Sequence, residues 1–303
     1  MKKTISLLLA AVMLLALAAC GKSDPNAPDA PKDNTDRGTV TIFVDGKETA
    51  KLTYADIAKK ADSKNIDGNY YFGITLSDGL KDVDFSTVKA AFIKTADDQA
   101  GYTDKASDLF LSAFKADAQK VYQSIADEDG KACFNLMNGT EEVKGVSEIY
   151  LLSKPVDFSV EITKDGEPYK TVTISDFMEA APTYMTLSHK YNGGADAFEG
   201  SFLALDSDAM CKALGIEYSE GNGLEIYKAD GTMNKELSND PDAEKSVWKV
   251  YYYVLVDGAD HSDISGSDIG LSCLSNGTGM RWMVNDISKI NWVTVQKTEP
   301  LEE

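Results

Sequence analysis

The chain has 303 residues, 43% of them hydrophobic and 26% charged, a composition typical of a globular protein. Asp and Glu outnumber Lys and Arg 49 to 30, for a formal net charge of −19. That excludes nucleic acid as a natural partner, because phosphate binding is driven by Lys and Arg, and it argues against flat adsorption on anionic lipid.

Residues 1–19 read as a signal peptide. Lys2-Lys3 form a charged start, and an apolar or small run follows from Leu7 to Ala19. Counted from Ile5 the run is 15 residues, short of the roughly 20 a membrane-spanning helix needs. Leu17-Ala18-Ala19-Cys20 resembles a bacterial lipobox, in which the Cys thiol is acylated and becomes the new N-terminus. Cys20 is therefore the expected lipidation site, and the chain is expected on the outer face of a cell membrane, held by its N-terminal lipid. Loss of Lys2 and Lys3 with the leader takes the charge from −19 to −21. Residues 20–38 contain three prolines and no large apolar side chain, so they read as a disordered tether.

From Thr39 the chain repeats itself. Val40–Ala61, with Asp45-Gly46, Thr53 and Asp56, aligns without a gap to Val160–Ala181, with Asp165-Gly166, Thr173 and Asp176. Each copy reads as a strand, an Asp-Gly turn, a second strand, and a helix capped at Thr-x-x-Asp. Further on, Leu76–Leu80 matches Leu205–Met210, and Val88–Asp97 matches Gly223–Gly231. Gly130–Asn138 is aligned with Gly277–Asn285, and each copy closes on an apolar strand, Val146–Leu152 and Ile290–Val295. Residues 106–126 are ambiguous: their apolar spacing allows a helix, whereas the repeat aligns Lys120-Val121-Tyr122 with the strand at Lys249-Val250-Tyr251. The expected fold class is α+β, with two tandem mixed α/β domains at 39–154 and 155–303.

The order of these pieces resembles the molybdopterin-binding domain of sulfite-oxidase-like oxidoreductases. The resemblance rests on Gly200–Leu205 through Cys211–Gly215, on Lys228-Ala229-Asp230-Gly231, and on Gly277-Thr278-Gly279-Met280-Arg281. It implies that fold in both copies, and a pterin pocket at the matching loops. The family's molybdenum-ligating Cys has no counterpart here. The comparable stretch, Thr186 to Gly193, carries Ser188 and His189, and the first copy has Asn65 to Asn69. Ser does not replace a soft thiolate for this metal. No cofactor is therefore expected, molybdopterin being the one the resemblance would supply.

The residues left as candidate ligand contacts are Ser188, His189, Lys228, Asp230 and Arg281. No acid at defined spacing completes a triad with His189 or His261, so nucleophilic catalysis has no support. Asp257, Asp260, Asp263 and Asp268 cluster without the EF-hand register and read as a solvated turn rather than a calcium site. Tyr70-Tyr71-Phe72, Tyr251-Tyr252-Tyr253, Trp282 and Trp292 offer flat faces for a ligand, but alternate members of such runs pack into a core. Cys133, Cys211 and Cys273 show no metal-ligand spacing and leave a Cys211–Cys273 bridge open.

The expected function is a lipid-anchored, extracytoplasmic module that binds an unknown small molecule or surface protein, or acts as a scaffold, without redox chemistry. The alternatives are a tethered molybdopterin-dependent oxidoreductase and a solute-binding lipoprotein of a transporter.

Overall fold

A computed structural model of the chain describes residues 24, 26–31, 38–190, 196–216, 222–243, 245–256, 270–275 and 283–294. The first strands show why the sequence folds as it does. In β1 (Thr39–Val44), Val40 and Ile42 alternate with less buried neighbours, the period-2 pattern of a strand with one face in a core. Asp45 and Gly46 turn the chain with φ of 45° and 76°, the left-handed pair that a two-residue hairpin requires. The turn leads into β2 (Lys47–Thr53). There Thr53 and Asp56 form a reciprocal capping box, Asp56 N–H to Thr53 Oγ1 at 3.2 Å and Thr53 N–H to Asp56 Oδ2 at 3.1 Å, which starts α1 (Tyr54–Lys60).

Two sheets complete the first half. The first has the order β2-β1-β11-β5-β6, with β5 at Ala90–Thr95, β6 at Ala100–Thr103 and β11 at Val146–Leu152; β1 runs parallel to β11. The second has the order β10-β9-β7-β4-β3. Its members are β3 (Asp62–Ile66), β4 (Asn69–Thr75), β7 (Phe110–Ala116), β9 (Asn135–Asn138) and β10 (Glu141–Val143), with β8 (Tyr122–Ser124) paired to β7. The short α2 (Leu76–Gly79) follows β4.

Apart from β8, the second half repeats this strand for strand among the described residues. Its sheets have the orders β13-β12-β21-β16-β17 and β14-β15-β18-β19-β20. Here β12 is Ser159–Lys164, β13 Glu167–Thr173, β14 Thr183–Lys190, β15 Asp196–Asp206, β16 Asn222–Lys228 and β17 Met233–Leu237. The rest are β18 (Val250–Leu255), β19 (Ser272–Ser275), β20 (Met283–Val284) and β21 (Ile287–Thr294), with helices α3 (Ile174–Glu179) and α4 (Ser207–Leu214). Details repeat as well. A bulge falls between Ile42 and Phe43 in one half and between Ile162 and Thr163 in the other. Asp45 N–H reaches Leu151 O, and Asp165 N–H reaches Trp292 O. The Thr173–Asp176 capping box matches that of Thr53 and Asp56.

The α+β expectation does not survive. Of the described residues 53% are strand and 14% helix, arranged as four sheets with four short helices. The capping boxes mark where helices begin, but these run only six or seven residues before the next strand takes over. Residues 110–116, open to a helical reading, are a strand with its first five residues buried. Two alignments also shift. Pairing of Phe110 with Met137 and of Tyr251 with Leu274 makes Asn135–Asn138 the counterpart of Ser272–Ser275, not of the stretch ending at Asn285. The counterpart of β18 is β7 itself, whereas Lys120 to Tyr122 leads into the extra strand β8.

The first sheet is buried on both faces. Val40, Ile42, Ile149 and Leu151 pack with Tyr54, Leu111 and Phe114 toward the second sheet. Ala90, Phe92, Tyr150 and Leu152 join a continuous cluster with Val160, Ile162, Phe177, Leu203 and Tyr252 of the second half. At this junction Phe43, Tyr150 and Tyr184 stack with ring centroids 4.9 and 6.1 Å apart, and Tyr184 N–H donates to Asp98 O at 3.0 Å. Among the described residues no helix is long and apolar enough to cross a membrane.

Candidate functional site

The expected contact residues do not form one site. Lys228 ends β16, and Asp230 lies in the tight turn that leads to β17. There Thr232 donates its backbone N–H and hydroxyl to Asp230 Oδ1 at 2.9 and 2.6 Å. Those bonds, the hydroxyl first, hold the Asp230 carboxyl below its usual range, which makes Asp230 a turn-stabilising residue. Its counterpart in the first half, Asp97, accepts from the Thr95 hydroxyl in the same turn. Ser188 and His189 lie on another sheet, in β14, with backbones paired to Glu199 and Phe198. Cys20, Arg281, His261, Trp282 and the Asp257–Asp268 cluster lie outside the described residues.

The aromatic runs are packing. Phe72 faces the core between the first two sheets, while its neighbour Tyr71 joins Ile66, Phe110, Ile125 and Met137 on the opposite face. Tyr252 and Tyr253 divide in the same way.

A molybdopterin site is not supported by the cysteines present. Cys211 and Cys273 are buried, and burial pushes the Cys273 thiol far up, which disfavours a ligating thiolate. Cys133 lies in the other half from Lys228 and Asp230. No disulfide links the three.

What the fold does build is a broad cleft of about 1030 Å³ on the outer side of the second sheet. One wall is the β9–β10 hairpin; another is the connection from β7 through β8 to β9, and Asn69 and Lys115 contribute from β4 and β7. At its base Asn135, only 5% exposed, donates its amide to Glu142 Oε1 at 2.7 Å and accepts the Gly145 N–H at 3.3 Å. Tyr71 also donates to Glu142 Oε1, at 3.4 Å, so the carboxylate is held by two donors. Lys115 Nζ lies 5.1 Å from the centre of the Tyr71 ring, a cation over an aromatic face.

The lining holds six carboxylates, Asp97, Asp117, Asp127, Glu128, Asp129 and Glu142, against three lysines, Lys115, Lys131 and Lys144. The half-buried Cys133 thiol registers this field. Burial pushes its pKa up, Asp127 and then Glu142 add to the rise, and a backbone hydrogen bond from Gly145 opposes it. The arrangement attracts positive charge and offers fixed acceptors at one end, while keeping its thiol protonated.

Sequence reading passed over these residues because they come from four separate stretches. The one local signal was the run Asp127-Glu128-Asp129, which is indistinguishable from a solvated loop until the hairpin is folded beside it.

No known family model matches the chain. No curated protein matches it either.

Proposed function

We propose that this chain is a lipid-anchored, extracytoplasmic binding module whose first half takes a small cationic ligand, an amine or a basic peptide, into the cleft between β8 and the β9–β10 hairpin. The observation that carries this reading is the charge of the cleft, six carboxylates to three lysines around a Glu142 already oriented by Asn135 and Tyr71. An oriented carboxylate binds a cation without first losing its own freedom, and the excess negative field draws cations in.

The test is calorimetric titration with spermidine and a lysine-rich peptide, against maltose and citrate as neutral and anionic counterparts. Spermidine or the peptide is expected to bind, and Glu142→Gln to weaken that binding about tenfold, the loss of one charge-assisted contact. Cys133 supplies a second readout. A bound cation stabilises its thiolate, so alkylation at pH 8 accelerates on saturation. Binding of citrate as strong as that of spermidine, or no binding of either cation, would overturn the reading.

A further inference from the structure

The composition of the segment after Cys20 suggests a loose tether, yet residues 24 and 26–31 sit on the folded body. Tyr70, on β4, donates its hydroxyl to Asp24 Oδ2 at 3.0 Å. Lys120, in the turn between β7 and β8, donates to Asn26 O at 3.4 Å and lies 5.9 Å from the centre of the Tyr70 ring. The segment also folds on itself, Asn26 N–H to Asp24 Oδ1 and Ala27 N–H to Asp24 O, both at 2.9 Å. Ala27, Pro28 and Pro31 are half-buried. Both docking residues stand beside the cleft: Tyr70 follows Asn69, and Lys120 lies between Asp117 and Gln123, all three of them cleft-lining residues.

Chain length turns this contact into an orientation. Four residue steps separate Cys20 from Asp24, a reach of at most about 14 Å, whereas a tether free as far as Gly38 would reach about 60 Å. We infer that residues 24 and 26–31 act as a clip that holds the β3–β4 edge of the first half against the bilayer carrying the Cys20 lipid, so that the cleft opens at the membrane surface. This rests on the lipid-anchored reading above. A cleft so placed meets ligands at the headgroup layer, where an anionic surface concentrates small cations.

The experiment uses the full mature chain in phosphatidylcholine vesicles that contain a headgroup-nitroxide lipid. An environment-insensitive fluorophore is placed at Asp67→Cys, in the β3–β4 turn, or at Glu236→Cys, on β17, in a Cys133→Ser background; Cys211 and Cys273 are buried. Strong quenching at position 67 and weak quenching at 236 is expected. The variant Asp24→Ala, Tyr70→Phe, Lys120→Ala should cut the docked fraction relative to the free by at least about fivefold, the effect of one lost hydrogen bond, and so reduce quenching at 67. An unchanged thermal midpoint confirms that the variant is folded, and Tyr70→Phe alone repeats the test with Asp24 and Lys120 kept. Equal quenching at the two positions, or quenching at 67 that ignores these substitutions, would overturn the clip. Vesicle flotation and the intact mass of the N-terminal peptide separate the two ideas. An unacylated chain that does not float sinks the anchor itself, whereas an acylated, floating chain with no position-dependent quenching sinks only the clip.

Discussion

Tyr184 sits where the two halves meet, and its hydroxyl is buried with no hydrogen-bond partner among the described residues. Burial pushes its pKa well up, with Tyr150 and Glu148 adding to the effect, so the phenol stays protonated. The ring does the structural work there: it stacks on Tyr150, and Lys94 Nζ lies 5.8 Å from its centre. A buried hydroxyl without a partner costs about 1–3 kcal/mol relative to leaving it in water. Tyr184→Phe keeps the ring and removes the cost, so urea unfolding should show a gain of about 1 kcal/mol. A loss of stability would mean that the hydroxyl has a partner, such as an ordered water.

At the scale of elements, the two capping boxes are the best-defined local determinants. Thr53→Ala and Thr173→Ala are each expected to cost about 1 kcal/mol, measured by denaturant midpoint. For the second the pH dependence has a definite sign. Backbone and hydroxyl hydrogen bonds from Thr173, then Lys170, hold the Asp176 carboxyl below its ordinary value of 3.8. A depressed carboxylate contributes stability above the unfolded-state pKa and loses it as pH falls through the folded-state value. The deficit of Thr173→Ala should therefore be full at neutral pH and shrink below pH 3.8. A deficit that grows in acid would contradict the capping geometry. These boxes and the Asp-Gly turns were legible in the sequence because each is made by neighbours in the chain. Strand β7 was not: with both faces covered, Phe110 to Phe114 form a buried run, apolar but for Ser112, that fits helix and strand alike. The misplacement of the stretch ending at Asn285 has a related cause. Short strands with period-2 burial match one another at several offsets, and only cross-strand pairing fixes the right one. The cleft was hidden for a third reason, since Cys133, Asn135 and Glu142 mean little until β9 and β10 set them opposite the β7–β8 connection.

Across the whole molecule, the first sheet is the shared layer. Phe92 and Tyr150 face the second half and are 0% and 3% exposed, so separating the halves would bare an apolar sheet face to water. Calorimetry on the body from residue 38 onward should accordingly give one unfolding transition, and a 38–154 fragment should aggregate or melt well below it. Two resolved transitions would show that the halves are independent. The parallel pairing of each half's first and last strands has a further consequence, for how the chain acquires its structure. In each half the final strand is not an edge but the middle of its sheet: β11 lies between β1 and β5, and β21 between β12 and β16. Everything made earlier in that half must wait for it with a gap at the centre of the sheet, and closure joins residues more than 100 positions apart, as Thr41 joins Glu148. Such late, long-range insertion makes for slow folding. It gives the nascent chain a long interval in which it remains threadable, and it means that a ribosome stopping just short of either closing strand releases a half that cannot close.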